Sequence, residues 1–130
     1  MRSFFLLIVF CGILADCHKN KNANELVGQW KLVETFRIGQ IDWDPVPTTQ
    51  ATILTFNNDH TYSSVPSPIS SISACTGNYK ITNKNTVMMT SSCQLNPAFE
   101  EEFGFTRSGN TLILDHRTTN SGLKSKYVLQ

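Results

Sequence analysis

Apolar residues recur at every second position through most of the chain, in short runs separated by Asn, Asp, Gly, Ser and Pro. That is the pattern of strands with one face buried, and its spacing favours an antiparallel sandwich or barrel. In the run Gly28 to Arg37, Trp30, Leu32 and Phe36 share one parity and are expected to face a core, with Lys31 and Thr35 outward. Thr52, Leu54 and Phe56 share a face in the run Ala51 to Phe56, and Asn57-Asn58-Asp59 then turns the chain into His60 to Ser64. Thr76 to Thr82 and Thr86 to Ser91 form the clearest hairpin, with Asn83-Lys84-Asn85 as a three-residue loop and Asn85 suited to its left-handed position. Ala98 to Arg107, Thr111 to Arg117 and Leu123 to Leu129 follow, divided by Ser108-Gly109-Asn110 and by the turn from Thr118 to Gly122. Asp44-Pro45-Val46-Pro47 and the Ser/Pro stretch from Ser63 to Ala74 are expected as loops, the latter pinned by Ile69 and Ile72. No stretch sustains a period of 3.6 residues. The expectation is an all-β chain whose eight strands form an antiparallel up-and-down barrel, a size whose interior holds side chains or one small ligand.

The N-terminus breaks the alternation. Phe4 to Leu14 is a continuous apolar run behind Arg2, followed by the polar stretch His18 to Asn24. It is shorter than the about 20 residues needed to span a bilayer and has the length of a signal-peptide core. The alternative is a buried terminal strand or helix. Leu14-Ala15-Asp16-Cys17 resembles the lipobox of bacterial lipoproteins, in which the cysteine carries the lipid; Asp16 stands where a small residue is usual. The resemblance implies a membrane anchor on Cys17, with ordinary cleavage near Ala15 to Cys17 as the alternative. The expected division is a signal peptide over 1–16, a polar tether over 17–24 and a β-barrel domain over 25–130. The expected location is the cell envelope, lipid-anchored to the outer membrane on its periplasmic or surface face; the alternative is a secreted soluble protein.

Composition narrows the partners. Of 130 residues, 114 remain once 1–16 are removed, enough for one domain with a modest core. The formal charge of +1 is unchanged, because Arg2 and Asp16 leave together. With no basic cluster, nucleic acid is not an expected partner. A monomer is expected.

Four cysteines are present. Cys11 lies in the signal and Cys17 at the lipid position, which leaves Cys75 and Cys93 for an oxidising compartment. In a hairpin centred on Lys84, Ile81 faces Val87 and Tyr79 faces Met89. The same register carried outward sets Cys75 opposite Cys93, within disulfide reach. Two independent buried thiols are the alternative.

The residues offer little catalytic apparatus. Glu100-Glu101-Glu102 is the most concentrated acidic run. Glu101 shares parity with Phe99, Phe103 and Phe105, so a regular strand would point it into an aromatic interior; a bulge or strand start would leave all three glutamates in water. His18, His60 and His116 are scattered, with no nucleophile paired to them. No Gly-x-Ser-x-Gly and no glycine-rich phosphate loop occurs. No enzymatic activity, cofactor or metal site is expected. The aromatic residues, Trp43, Tyr62, Phe105 and Tyr127 among them, are read first as core. The residues named as candidate pocket lining are Trp30, Phe36, Phe56, Tyr79, Met89, Glu101 and Phe103.

Gly28-Gln29-Trp30-Lys31-Leu32-Val33 resembles the Gly-x-Trp start of lipocalins, and more closely the opening of small bacterial lipocalin-like lipoproteins. Leu54-Thr55-Phe56-Asn57-Asn58-Asp59 with Tyr62, Cys75-Thr76-Gly77-Asn78-Tyr79 and Thr111-Leu112-Ile113-Leu114 extend the resemblance over roughly Glu25 to Leu129. It implies a calycin-type barrel holding a small hydrophobic ligand. It also implies that Trp30 closes the barrel base beside a basic residue of the last strand, for which Lys124 and Lys126 are the candidates. The competing expectation is an interaction or structural lipoprotein with a filled barrel and no ligand.

Overall fold

The computed structural model describes residues 23–65, 74–91, 100–117 and 122–130. A short helix α1 (Ala23–Leu26) leads into nine strands: β1 (Gly28–Phe36), β2 (Asp44–Pro45), β3 (Ile53–Phe56), β4 (Thr61–Val65), β5 (Cys75–Asn83), β6 (Thr86–Ser91), β7 (Glu100–Ser108), β8 (Thr111–His116) and β9 (Lys124–Leu129). Every strand from β3 to β8 pairs antiparallel with its successor, and β1 pairs with both β3 and β9. The result is a closed eight-stranded antiparallel up-and-down barrel without free edges. The two-residue β2 is added on β1 through Thr35↔Asp44 and Glu34↔Pro45.

Turn chemistry sets the connections at one end. Asp59 accepts from the Thr61 amide at 3.0 Å and from its hydroxyl at 2.6 Å, while His60 takes the left-handed conformation at φ 66°. These bonds hold the Asp59 carboxyl below its ordinary pKa, the Thr61 hydroxyl contributing most. The β5–β6 hairpin differs from the three-residue loop expected. Asn83 pairs with Thr86 across a two-residue turn, and a register shift between Ile81 and Asn83 takes up the odd residue. His60 is the one non-glycine residue with positive φ among the described residues, so Asn85 is not left-handed. Above the shift, Ile81↔Val87 and Tyr79↔Met89 pair as expected.

That same end is the barrel floor. The Trp30 indole Nε1 donates to the Leu26 carbonyl at 2.6 Å, and both residues are fully buried. Phe56 packs edge-on against Tyr79 with centroids 4.9 Å apart, and the Tyr79 hydroxyl donates to the Asn57 carbonyl at 2.8 Å. The basic partner of Trp30 is neither Lys124 nor Lys126. It is Arg107 of β7, whose guanidinium carbon lies 5.1 Å from the indole centroid and whose Nη1 donates to the Glu25 carbonyl at 2.6 Å.

β1 does not keep one phase along its length. Trp30 pairs with Leu129 and Leu32 with Tyr127, facing inward, but the register shifts between Leu32 and Glu34. Beyond that bulge Thr35 sits opposite the buried Ser125, so Glu34 and Phe36 turn outward. Phe36 rests on Trp43 at 5.6 Å on the outer wall, where the Lys126 ammonium sits 4.3 Å from the Trp43 centroid and pairs with Glu34. Neither Phe36 nor Trp43 joins the interior cluster, which gathers Trp30, Leu54, Phe56, Tyr62, Tyr79, Val87, Met89, Phe103, Phe105, Leu112 and Leu114.

Candidate functional site

Opposite the floor is a mouth where Ser64, Cys75, Ser91, Glu101 and His116 lie at or next to the ends of their strands. A cavity of about 230 Å³ opens there. Leu54, Met89, Phe103, Leu114 and Tyr127 form its apolar wall, and Tyr62, Ser64, Cys75, Ser91, Glu101 and His116 supply its polar groups.

Strand parity places each of these side chains. Met89↔Glu101 and Phe103↔His116 are paired positions, and Met89 and Phe103 are buried, so Glu101 and His116 point to the interior with them. Along β8, Leu112 and Leu114 are buried and His116 continues their face. The neighbours of Glu101 diverge as alternation requires: Glu100 is exposed, and Glu102 faces Arg117 across 3.9 Å at the outer surface. Of the three glutamates, then, Glu101 alone reaches the interior.

Glu101 Oε1 lies 2.9 Å from His116 Nδ1, and the side chains are 26% and 22% exposed, so the pair is sheltered yet in reach of a solute in the cavity. Phe103 stands edge-on to the imidazole at 4.7 Å and 70°. Burial pushes the Tyr62 phenol above its ordinary pKa, the Ser91 hydroxyl bonded to it draws it down, and the nearby Glu101 charge raises it further. Tyr127, bonded to Ser125, is pushed up to about 12 by burial of its hydroxyl. The Cys75 sulfur lies 3.0 Å from Ser91 Oγ at the rim.

Of the residues expected to line a pocket, Met89, Glu101 and Phe103 do so. Trp30, Phe56 and Tyr79 are interior but are consumed by the packed floor, and Phe36 is outside the barrel. His116, Tyr62 and Tyr127 line the cavity without having been expected there. Cys17 and Cys93 lie outside the described residues, as do the signal, most of the tether, and Ile69 and Ile72. Among the described residues no group of three or more His, Cys, Asp or Glu side chains is placed to hold a metal ion.

Chemically, the site offers a small apolar chamber with one acidic, hydrogen-bonding side. No protein-family model and no curated protein matches this chain. The barrel itself is shared: the crystal structure of an uncharacterized protein from Bacteroides eggerthii superposes with a TM-score of 0.61 at 13% identity, covering 81% of this chain and 99% of that one.

Proposed function

We propose that the protein is an exported, lipid-anchored, lipocalin-like binding protein that holds one small, mostly apolar molecule at the mouth of its barrel. The observation that carries this reading is the cavity of about 230 Å³, with an apolar wall and a few convergent polar groups, which is the composition of a ligand site. Its size bounds the ligand. Drug-sized pockets run from about 300 Å³ upward, whereas a cavity of about 150 Å³ accepts benzene, so the occupant is one ring or a short chain. The Gly28-Gln29-Trp30 opening and the basic residue over Trp30 support the lipocalin-like assignment.

The anchor fits this arrangement. α1 packs at the floor through Leu26, and residues 17–22 precede it. Six residues reach at most about 20 Å, so a lipid on Cys17 would hold the closed floor toward the membrane and turn the mouth away. Nuclear magnetic resonance titration of the purified protein with toluene and hexanol tests the binding reading. Saturable shifts confined to the Met89 methyl, Phe103 and His116 are expected. No shift at the solubility limit would replace it with the filled-barrel, protein-interaction reading. That second reading draws on the 95% exposed Ile41 and 74% exposed Ile38, both on the connection between β1 and β2.

A further inference from the structure

We infer that the mouth cavity selects ligands whose polar end donates hydrogen bonds, an ammonium first and a hydroxyl second, and rejects carboxylates. The inference rests on the binding reading above and specifies the ligand class.

Among the described residues Glu101 is the one carboxylate lining the cavity, and the His116 imidazole is its partner there. An ionised carboxylate only accepts hydrogen bonds. Its Oε1 is engaged by His116 Nδ1, and Oε2 has no partner among the described residues. In the imidazole tautomer whose Nδ1 donates to Glu101, Nε2 is a second acceptor. Two acceptors thus border one apolar chamber. A bound ammonium would gain charge-assisted hydrogen bonds there, whereas a bound carboxylate would face a like charge in a partly desolvated space.

The cations around the mouth do not reverse this field. Arg117 and Lys124 follow inward-facing His116 and precede inward-facing Ser125, which sets both on the outer wall, where they approach Glu102 at 3.9 Å and Asp115 at 4.0 Å. Arg37, Asp42 and Asp44, on the connection leaving β1, are exposed and do not border the cavity. The segments 66–73, 92–99 and 118–121, which in sequence follow β4, β6 and β8, contain no charged residue. Glu101 therefore sets the sign of the site. The Tyr62 phenol registers the same charge, since Glu101 is among the causes that raise its pKa.

Calorimetric titration of the purified protein with benzylamine, benzyl alcohol and benzoate decides the matter, because the three share one ring and differ in the polar end. Benzylamine should bind at least about tenfold more tightly than benzoate, with benzyl alcohol between them. Glu101→Gln should bring benzylamine down to the level of benzyl alcohol. His116→Gln keeps the carboxylate and should retain the amine preference. Benzoate binding as well as benzylamine, or an amine preference that survives Glu101→Gln, would overturn the inference while leaving the binding reading intact. Failure of all three probes would remove both. Should Glu101→Gln not fold, the order of the three probes on the wild-type and His116→Gln proteins still decides.

Discussion

Arg107 caps Trp30: its guanidinium carbon lies 5.1 Å from the indole centroid while Nη1 holds the Glu25 carbonyl at 2.6 Å. One side chain of β7 thus clamps the start of β1 and the end of α1 together, across 82 residues of sequence. The cation sits on a ring that is fully buried, where cation–π attraction exceeds its value in water. Arg107→Ala removes this contact and leaves the Glu25 carbonyl to solvent. The expected loss is about 1–2 kcal/mol, read as a lower urea midpoint at unchanged slope. A shift indistinguishable from zero would show that Leu26 and Trp30 close the floor unaided.

Gly77 has a steric reason to be glycine. A Cβ there would collide with the Thr90 carbonyl on β6 and come within 2.8 Å of the Tyr62 ring. The backbone neighbour cannot swing away as a flexible side chain could, so the strands must part. Gly77→Ala should cost about 1–3 kcal/mol in urea unfolding. Because Tyr62 borders the cavity, the same substitution should also weaken toluene binding.

The barrel was legible because each strand was bounded by turn residues and buried on one face only. The eight runs expected from alternation lie within a few residues of the barrel strands, from Gly28–Phe36 to Lys124–Leu129. What alternation does not reveal is a change of phase. Nothing in Leu32-Val33-Glu34 marks the bulge, and that one slip sends Phe36 to the outer wall. The two-residue β2 is equally silent, since Asp44-Pro45 reads as a loop and becomes a strand only by meeting Thr35 and Glu34. Glu101 was legible by parity with Phe103. His116 could have been, since it shares parity with Leu112 and Leu114, but its role depends on β7 and β8 being neighbours. The division between floor and cavity was not legible. Phe56 and Phe103 carry the same side chain and the same inward parity, and only their depth in the barrel separates packing from lining.

The chain has three tyrosines, and all three have pKa values raised by burial. For Tyr127, pushed to about 12 against an unfolded value of about 10, the folded state favours the neutral phenol. Stability from this group is complete below about pH 10 and falls as pH rises toward 12, because the unfolded chain loses its proton first. The integrated loss is on the order of 2 kcal/mol. Absorbance at 295 nm should show the native protein ionising its tyrosines later than the same chain in guanidinium chloride. Coincident curves would place the phenols in water.

The β5–β6 register bears on the two remaining cysteines. Gly77 pairs with Ser91, and the pairing is regular from there down to Ile81↔Val87. Residue 93 lies outside the described residues; the same ladder continued regularly for two residues beyond Ser91 would bring it across from Cys75. Directly opposed positions on antiparallel strands have Cα separations of about 4.5–5.5 Å, the range a disulfide spans. The chain is therefore expected to carry a Cys75–Cys93 cross-link when it matures in an oxidising compartment. The bond would close the mouth end of the hairpin beside Ser91, at the rim of the cavity. Peptide mapping without reductant should recover the two segments joined, and reduction should lower stability by about 3 kcal/mol in the chain-entropy account. Complete alkylation of both thiols in the unfolded, unreduced protein would refute the cross-link. A ligand affinity that falls on reduction would further show that the bond fixes the cavity rim as well as the hairpin.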